Sequence, residues 1–286
     1  MKAPHQNILL NSEAPINVFF TNITEFPPHW HEAAEVICSL GGSLRVGVNG
    51  EIYTINHKDI LIVTGGDVHY FLPQPNMVDR LILHFELTYF ESMCPNIKNK
   101  RFAKNLYRSP KVYDSPSCDD QVFRLLERQI DNIIRENKER KGAYKIALRA
   151  RLYDTLAIIL SLVPMQDYTP QEQNRHLNRL GRLENVFMYV EKNYCSEITL
   201  KEISAIANFN EYYFTRFFKE ATGMTLGKYI KNFRVEKAAQ FLKSTDDAIT
   251  EICFKSGFNS TKTFNRVFKQ LKGCSPIEYK KSIFEV

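Results

Sequence analysis

Residues 209–223 read FNEYYFTRFFKEATG, and residues 258–273 read FNSTKTFNRVFKQLKG. The likeness between them decides how the C-terminal part of the chain folds. Glu202-Ile203, Phe209-Asn210, Phe214, Arg216, Phe218-Lys219, Gly223 and Tyr229 recur as Glu251-Ile252, Phe258-Asn259, Phe264, Arg266, Phe268-Lys269, Gly273 and Tyr279, at an offset of 49 positions before the turn and 50 after it. Apolar anchors, turn residues and basic residues duplicated in one order imply two similar units on one scaffold, each a helix-turn-helix able to offer a helix to DNA.

Local signals around the repeat set its boundaries. Thr199-Leu200-Lys201-Glu202 is a capping box, hydroxyl and carboxylate reciprocally satisfying end amides, and it starts a helix near Leu200. Ser275-Pro276-Ile277-Glu278 is a second box, with proline at the first helical position, where its missing N–H costs nothing. In each unit a short helix (Leu200 to Ala207; Ile249 to Lys255) precedes a tight turn and a second helix capped by Asn210 or Ser260. Helical spacing turns Phe214, Phe217 and Phe218, and Phe264, Val267 and Phe268, toward the core. The groove-facing positions then fall to Glu211, Tyr212, Thr215 and Arg216 in the first unit and to Thr261, Lys262, Asn265 and Arg266 in the second. Arginine can pair with guanine, asparagine with adenine and a threonine methyl with thymine. Lys255, Lys262 and Lys269 suit phosphate contacts, which position a protein without reading sequence. Leu226 to Lys243 has the length to hold two reading helices about one DNA turn apart.

Working outward, Leu180, Leu183, Phe187, Val190 and Tyr194 line one face of the helix before the repeat. Pro164 to Asn174, polar and containing Pro170, reads as a hinge. Upstream, Val122, Leu126, Ile130 and Ile133 form one helical stripe, and Ile146, Ala150, Tyr153, Ala157 and Leu160 another, which predicts two antiparallel helices. Phe123, Leu152, Ile159 and Val163 are spare apolar residues there, available to the core or to a second copy. Before these, Val18 to Phe20, Val36 to Leu40, Leu44 to Val48, Ile52 to Ile55, Ile60 to Val63 and Leu81 to Phe85 read as short strands. They are separated by Gly41-Gly42, Asn49-Gly50, Gly65-Gly66 and Pro73-Gln74-Pro75, the pattern of a small barrel or sandwich.

Composition agrees with a two-domain globular α+β chain. Its 286 residues are 44% hydrophobic, enough for real cores. The net charge of +6 is concentrated after residue 174, where 19 Lys/Arg face 12 Asp/Glu, while the preceding residues hold 19 against 20. Cys38, Cys94, Cys118, Cys195, Cys253 and Cys274 are scattered, without Cys-x-x-Cys spacing, as in a reduced cytoplasmic protein. Met1 to Leu10 has no long apolar run, and Leu156 to Val163 is far short of the roughly 20 residues of a membrane span. No nucleophile elbow, phosphate-binding glycine loop or His-Glu-x-x-His stretch speaks for catalysis, so no enzyme and no cofactor is expected.

The repeat closely resembles the DNA-binding domain of the AraC/XylS family of bacterial transcription regulators. The resemblance covers nearly all of residues 180 to 280, with Tyr213-Phe214-Thr215-Arg216-Phe217-Phe218-Lys219, Gly257-Phe258, Phe264-Asn265-Arg266-Val267-Phe268-Lys269 and Gly273-Cys274-Ser275-Pro276 in the family's order. Cys253 stands where a small residue is usual, and Lys280 where arginine is common. The resemblance implies double-stranded DNA as partner, contacts from Tyr212, Thr215, Arg216, Thr261, Lys262, Asn265 and Arg266, a homodimer formed through the helical pair, and RNA polymerase as a further partner.

His29-Trp30-His31, with Glu35 and then His69, is the one cluster that could chemically hold a metal, because histidines two apart on a strand project to one side. The segment from Pro28 to Phe85 resembles the cupin barrel, whose His-x-His, Glu and later His bind metal in many enzymes. It is also similar to the cupin-like sensor of AraC/XylS regulators, which implies small-molecule binding. Lys58-Asp59 and Thr64 depart from the glycine and proline common there. The preferred reading makes His31, Glu35 and His69 the rim of an effector pocket with Trp30 and Tyr70 as stacking faces, suited to a carbohydrate. Metal ligation by His29, His31, Glu35 and His69 is the secondary one. The expected organisation is a sensing barrel over 1–115, a helical pair over 116–164, a linker over 165–178 and a double helix-turn-helix over 179–286. The expected function is a ligand-responsive regulator, an activator by type; the alternative is a cupin-type metalloenzyme or metal sensor with an appended DNA-binding domain.

Overall fold

The computed structural model describes residues 16–22, 26–72, 77–109 and 120–284. Met1 to Leu10, the Pro73-Gln74-Pro75 turn and Cys118 lie outside the described residues.

Short β-rich segments punctuated by glycine form two facing sheets. The first contains β1 (Ile16–Thr21), β3 (Ala34–Ser39), β6 (Ile60–Val63), β8 (Arg80–Phe85) and β10 (Leu106–Tyr107), in the order β1-β8-β3-β6-β10. The second contains β2 (Phe26–His29), β4 (Leu44–Val48), β5 (Glu51–Ile55) and β7 (His69–Phe71), in the order β2-β7-β4-β5. All their pairings are antiparallel. Asn49 and Gly50 both have positive φ (51° and 90°), which closes the β4-β5 hairpin as an Asn-Gly turn should. Between the sheets Ile37, Val46, Ile55, Leu61 and Phe71 are buried in one cluster.

The departures at Lys58-Asp59 have a local reason. Lys58 takes φ 66°, and the buried Asp59 carboxylate accepts from the backbone N–H groups of Asn56 and Ser109 at 2.9 and 2.8 Å. Lys58 then reaches Glu127 and Asp131 at 3.0 and 3.2 Å, tying the barrel to the helix that follows it.

That helix, α1 (Asp120–Glu139), packs against α2 (Tyr144–Leu162) as the antiparallel pair that periodicity predicts. The face α2 buries differs from expectation. Leu152, Leu156, Ile159 and Val163 enter the core with Phe123, Leu126, Ile130 and Ile133 of α1, so Phe123, Leu152, Ile159 and Val163 are core residues rather than spare ones. Ile146, Ala150, Tyr153 and Ala157 face outward instead. Helix α2 is apolar on nearly every side, so spacing alone admits two stripes, and the barrel takes the one with the better-filled positions.

The segment read as a hinge is ordered. Met165–Asp167 forms β11, paired antiparallel with β9 (Lys100–Phe102), and helix α3 begins at Pro170 and runs unbroken to Asn193. Thr169 and Glu172 form a complete capping box with Pro170 at the first helical position. A short edge pairing uses only backbone groups, and a polar sequence suits an exposed helix, so composition gave the wrong impression. Tyr168 stacks on His176 at 5.7 Å while Arg101 lies 5.0 Å over its ring, which holds the start of α3 on the barrel.

The remaining helices follow the repeat. They are α4 (Leu200–Ile206), α5 (Glu211–Thr222), α6 (Leu226–Ser244), α7 (Ile249–Lys255), α8 (Thr261–Lys272) and α9 (Pro276–Phe284). The Thr199–Glu202 and Ser275–Glu278 boxes form as read. Asn210 and Ser260 cap α5 and α8 by accepting from Tyr213 N–H (2.9 Å) and Thr263 N–H (3.2 Å). Cys253 fills a fully buried place in the second unit's core. No helix among the described residues is long and apolar enough to cross a membrane.

Because the Thr169 hydroxyl satisfies an end amide of α3, Thr169→Ala should lower stability by about 0.5–2 kcal/mol. Urea denaturation of the full chain checks this; an unchanged midpoint would mean that β11 and the Tyr168 stack fix the helix start without the cap.

Candidate functional site

Two features carry chemistry: a histidine cage inside the barrel and a pair of exposed helix faces in the C-terminal domain. The cage arises from the strand pleat. In the β2–β7 pair His29 lies opposite His69, and successive residues on each strand point to opposite sides. His29, His31 and His69 therefore turn inward, where Glu35 of β3 and His84 of β8, themselves register partners, meet them. All five side chains are buried. Ligand atoms of His29, His31, Glu35 and His69 all lie within 4.8 Å of one another. The Glu35 carboxylate oxygen Oε2 is 3.2 Å from His31 Nε2, 3.3 Å from His69 Nε2 and 2.7 Å from His84 Nε2.

Backbone carbonyls orient the rings. Nδ1 of His29, His31 and His69 lies 3.0, 2.7 and 2.8 Å from the carbonyl oxygens of Pro27, Ala33 and Asp67. Donation from Nδ1–H to those oxygens leaves each Nε2 with its lone pair directed at the cage. A neutral ring in that state cannot donate to Glu35, so a proton or another cation must stand between imidazole and carboxylate. The shifts follow. Burial, aided by the charges of His69 and His31, holds His29 well below the usual imidazole range. Burial also lowers His31, against its hydrogen bond to Glu35. Burial opposes the charge on Glu35, yet His69 and His31 outweigh it and hold the carboxyl well below the usual range. For His69, burial is outweighed by Glu35, and the value rises. Glu35 Oε1 and His69 Nε2 are buried without a hydrogen-bond partner, as is His84 Nδ1. Three imidazoles and a carboxylate are a donor set that fits a divalent transition metal, and the cage has the orienting carbonyls such ligands use.

Beside the cage is a cavity of about 330 Å³, walled by Phe19, Phe20, Phe26, Phe71 and Ile82 and bordered by His29, Glu35, His84 and Arg80. The Arg80 guanidinium lies 3.9 Å over the Phe71 ring. His84 and Arg80 were not singled out from sequence. Each lies two places from Ile82 on β8, and neither carries a signal until the register with β3 is known.

Trp30 and Tyr70, expected with His31, Glu35 and His69 in one pocket, are not there. The pleat that sends the histidines inward sends these two outward, into a cluster with Leu180, Leu183, Phe187, Phe214, Phe218, Met224 and Tyr229. The five residues therefore do not share one pocket: the aromatic walls of the cavity beside the cage are phenylalanines, and Trp30 and Tyr70 belong to the contact with the helical domain. At that contact Gly223, with φ 68° at the C-terminal end of α5, lies against the Tyr70 hydroxyl so closely that a β-carbon has no room. Gly50 at the β4-β5 hairpin tip meets the Glu220 carbonyl in the same way.

On the helical side, Phe214, Phe218, Phe264, Val267 and Phe268 are buried, and Phe217 packs half-buried on Phe209. Glu211, Tyr212, Thr215 and Arg216 are exposed on α5, as are Lys262, Asn265 and Arg266 on α8, with Thr261 half-exposed. Tyr212 is 75% exposed, an unusual state for a large aromatic ring. Arg216 pairs with Glu220 at 2.7 Å, and Lys255 with Asp247 at 2.8 Å, so both cations start from an ion pair; Lys269 is exposed on the last turn of α8. The joining helix α6 has 19 residues, about 28 Å at 1.5 Å per residue.

Comparison with known proteins agrees with both halves. Residues 22–156 match the model of an AraC-like ligand binding domain, and residues 203–282 match that of a helix-turn-helix domain. The chain is 23% identical, over 98% of its length and 96% of the relative's, to the HTH-type transcriptional activator RhaR of Mannheimia succiniciproducens. It is 21% identical, over 94% of its length and 92% of the relative's, to the HTH-type transcriptional regulator YdeC of Bacillus subtilis. Among solved structures, ToxT from Vibrio cholerae aligns over 95% of this chain and 98% of its own, with a TM-score of 0.44 and 13% identity.

Glu35→Ala removes the shared acceptor of the cage and leaves the buried His84 N–H unpaired. Stability should fall by about 1–3 kcal/mol. Urea denaturation in the presence of chelator measures it; an unchanged midpoint would mean that the cage relaxes freely around the gap.

Proposed function

The chain belongs to the AraC/XylS family of transcription regulators, with an N-terminal ligand-binding barrel and a C-terminal double helix-turn-helix, and we propose that it activates its target genes when a small molecule occupies the cavity beside the histidine cage. The observation that carries this reading is the pair of capped helices, α5 and α8, each with an apolar face in its own core and a polar face open to solvent, the face of α8 being basic.

Arg216, Tyr212, Thr215 and Glu211 of α5 and Arg266, Asn265, Lys262 and Thr261 of α8 read base edges in successive major grooves. Lys269 contacts phosphate, and Lys255 does so after exchanging Asp247 for it. The effector has an apolar face for the phenylalanine walls and polar groups for Arg80 and the histidines. A carbohydrate of one ring fits a cavity of about 330 Å³. The protein acts as a cytoplasmic regulator rather than as an enzyme, and RNA polymerase is its partner at the promoter.

The outward stripe of α2 supports a homodimer. Ile146 is 74% and Tyr153 46% exposed, on the face that also carries Ala150 and Ala157. A self-complementary stripe of this kind suits a two-fold pair of antiparallel helices.

In vitro selection of genomic fragments by the purified full chain, sequenced against a random-fragment control at two salt concentrations, tests the function. Enrichment of a few sites with paired motifs about one helical turn apart is expected; uniform recovery that collapses with salt, with or without candidate sugars, would contradict it. On a selected site Arg266→Ala should cost about 1–3 kcal/mol, and Lys269→Ala should shallow the salt dependence by about one charge without changing sequence preference. Equal affinity of Arg266→Ala and the parent chain would remove α8 from the base-reading role. Light scattering at micromolar concentration should give a dimer for the parent and a monomer for Ile146→Asp; a monomer for both would place the stripe outside any interface.

A further inference from the structure

The two reading helices align position by position at an offset of 50, and the alignment exposes a one-sided difference in charge. Phe214 and Phe218 match Phe264 and Phe268, and Arg216 and Lys219 match Arg266 and Lys269. Four other positions differ, each by one charge in the same direction: Glu211 against Thr261, Tyr212 against Lys262, Glu220 against Gln270, and Thr222 against Lys272. Helix α5 therefore carries two cations and two carboxylates, and α8 four cations with no carboxylate.

On α5 the difference reaches the base-reading arginine itself. Arg216 donates from Nε to Glu220 Oε1 at 2.7 Å, and no other cation forms an ion pair with Glu220 among the described residues. The equivalent place on α8 holds Gln270, which brings no charge to Arg266. We propose that Glu220 is a positioning residue that sets Arg216 to read guanine, and that α5 is thereby the discriminating helix while α8 holds the protein to phosphate. This rests on the reading that both helices face DNA. It goes beyond that reading in giving Glu220 a role and the two units different tasks.

Helix stability does not account for Glu220. It lies in the last turn of α5, which ends at Thr222, where the helix dipole disfavours a negative charge. Arginine with glutamate four residues later is also the weaker order for a helical ion pair. The two side chains are 71% and 63% exposed, so their attraction adds little to the fold.

The hydrogen-bond geometry suits recognition instead. Glu220 engages Nε alone, and Nη1 and Nη2 of Arg216 have no partner among the described residues. Those two amino groups form a fork that can donate to O6 and N7 of one guanine. Holding Nε orients the guanidinium before DNA arrives, which lowers the side-chain entropy lost on binding. The carboxylate also works against the wrong contact. A guanine edge accepts the fork without like-charge repulsion, whereas a phosphate in the same place meets the negative charge of Glu220. Arg266, with no carboxylate on its own helix, is drawn to phosphate and base alike, as are Lys262 and Lys269.

Full-length Glu220→Gln is compared with the parent chain on a selected DNA site and on a random fragment of equal length, over a series of salt concentrations. Both Glu220 and Gln270 are exposed, so exchanging one for the other leaves the core untouched. In Glu220→Gln, affinity for the random fragment should rise and its salt dependence should steepen by about one charge. The ratio of specific to random affinity should fall by about 3- to 10-fold. Replacing each base pair of the site in turn, with Arg216→Ala as reference, locates the guanine. Glu220→Gln should weaken preference at that pair, and in an Arg216→Ala background it should change base preference no further. The reciprocal Gln270→Glu should make binding to the random fragment less salt-dependent by about one charge. Unchanged preference at the Arg216 pair, or a further change in the Arg216→Ala background, overturns the positioning role. Salt dependence that both exchanges leave at the parent value overturns the division between the helices. Absence of any selected site for the parent chain strikes the regulator reading itself, a result distinct from a selected site whose base preferences Glu220→Gln does not move.

Discussion

The pleat of two strands is the constraint on which this molecule depends. Side chains on a β-strand alternate sides at every residue, so a strand that contributes to a cage inside a barrel must present every second side chain outside it. Across β2, the two residues that follow it and β7, the inner set is His29, His31 and His69, and the outer set is Trp30 and Tyr70. A slip of one residue would exchange the sets, burying an indole in the cage and exposing imidazoles to an apolar contact. The pairing of His29 with His69 is held in place by both requirements together.

That contact makes the barrel and the first helix-turn-helix unit share a core. Trp30, Val68 and Tyr70 are buried among residues of α3, α5 and α6, whereas the second unit has a separate core of Val235, Leu242, Ile252, Phe264 and Phe268. Each fully buried aliphatic or phenylalanine side chain contributes about 1.5–3 kcal/mol, so a contact of three barrel residues is strong enough to matter and weak enough to be biased. The two DNA-facing units are thus inequivalent: one is packed on the sensor, and the other follows through α6 and the Lys272–Glu236 ion pair.

The sequence made the helical domain legible because its boundaries are written in side-chain chemistry. Thr199 with Glu202, Asn210, Ser260 and Ser275 with Glu278 each satisfy end amides, and their repetition around the same phenylalanines leaves little freedom in where helices start or which faces are buried. The barrel was legible as a class but not in register. Strands β2 and β7 are short, proline- and histidine-rich, and gain their identity from pairing. Even so, the alternation that puts His29 and His31 on one side already places Trp30 on the other, so that part of the cage was available from the residues alone. What was not available is His84, which joins Glu35 only through the β3–β8 register. The apparent hinge failed for the opposite reason: Thr169, Pro170 and Glu172 carry a start signal as clear as that at Thr199, and the polar composition of the segment concealed it.

The central claim is that barrel and first helix-turn-helix unit form one packing unit across Trp30 and Tyr70. Hydrogen exchange of the full chain with Trp30→Ala, followed by mass spectrometry, tests it most directly, since amides exchange through local opening of the unit they belong to. The account predicts faster exchange in α5 and the first turns of α6, between Phe214 and Phe233, although the substitution lies in the barrel. Loss of protection confined to the barrel strands would contradict it.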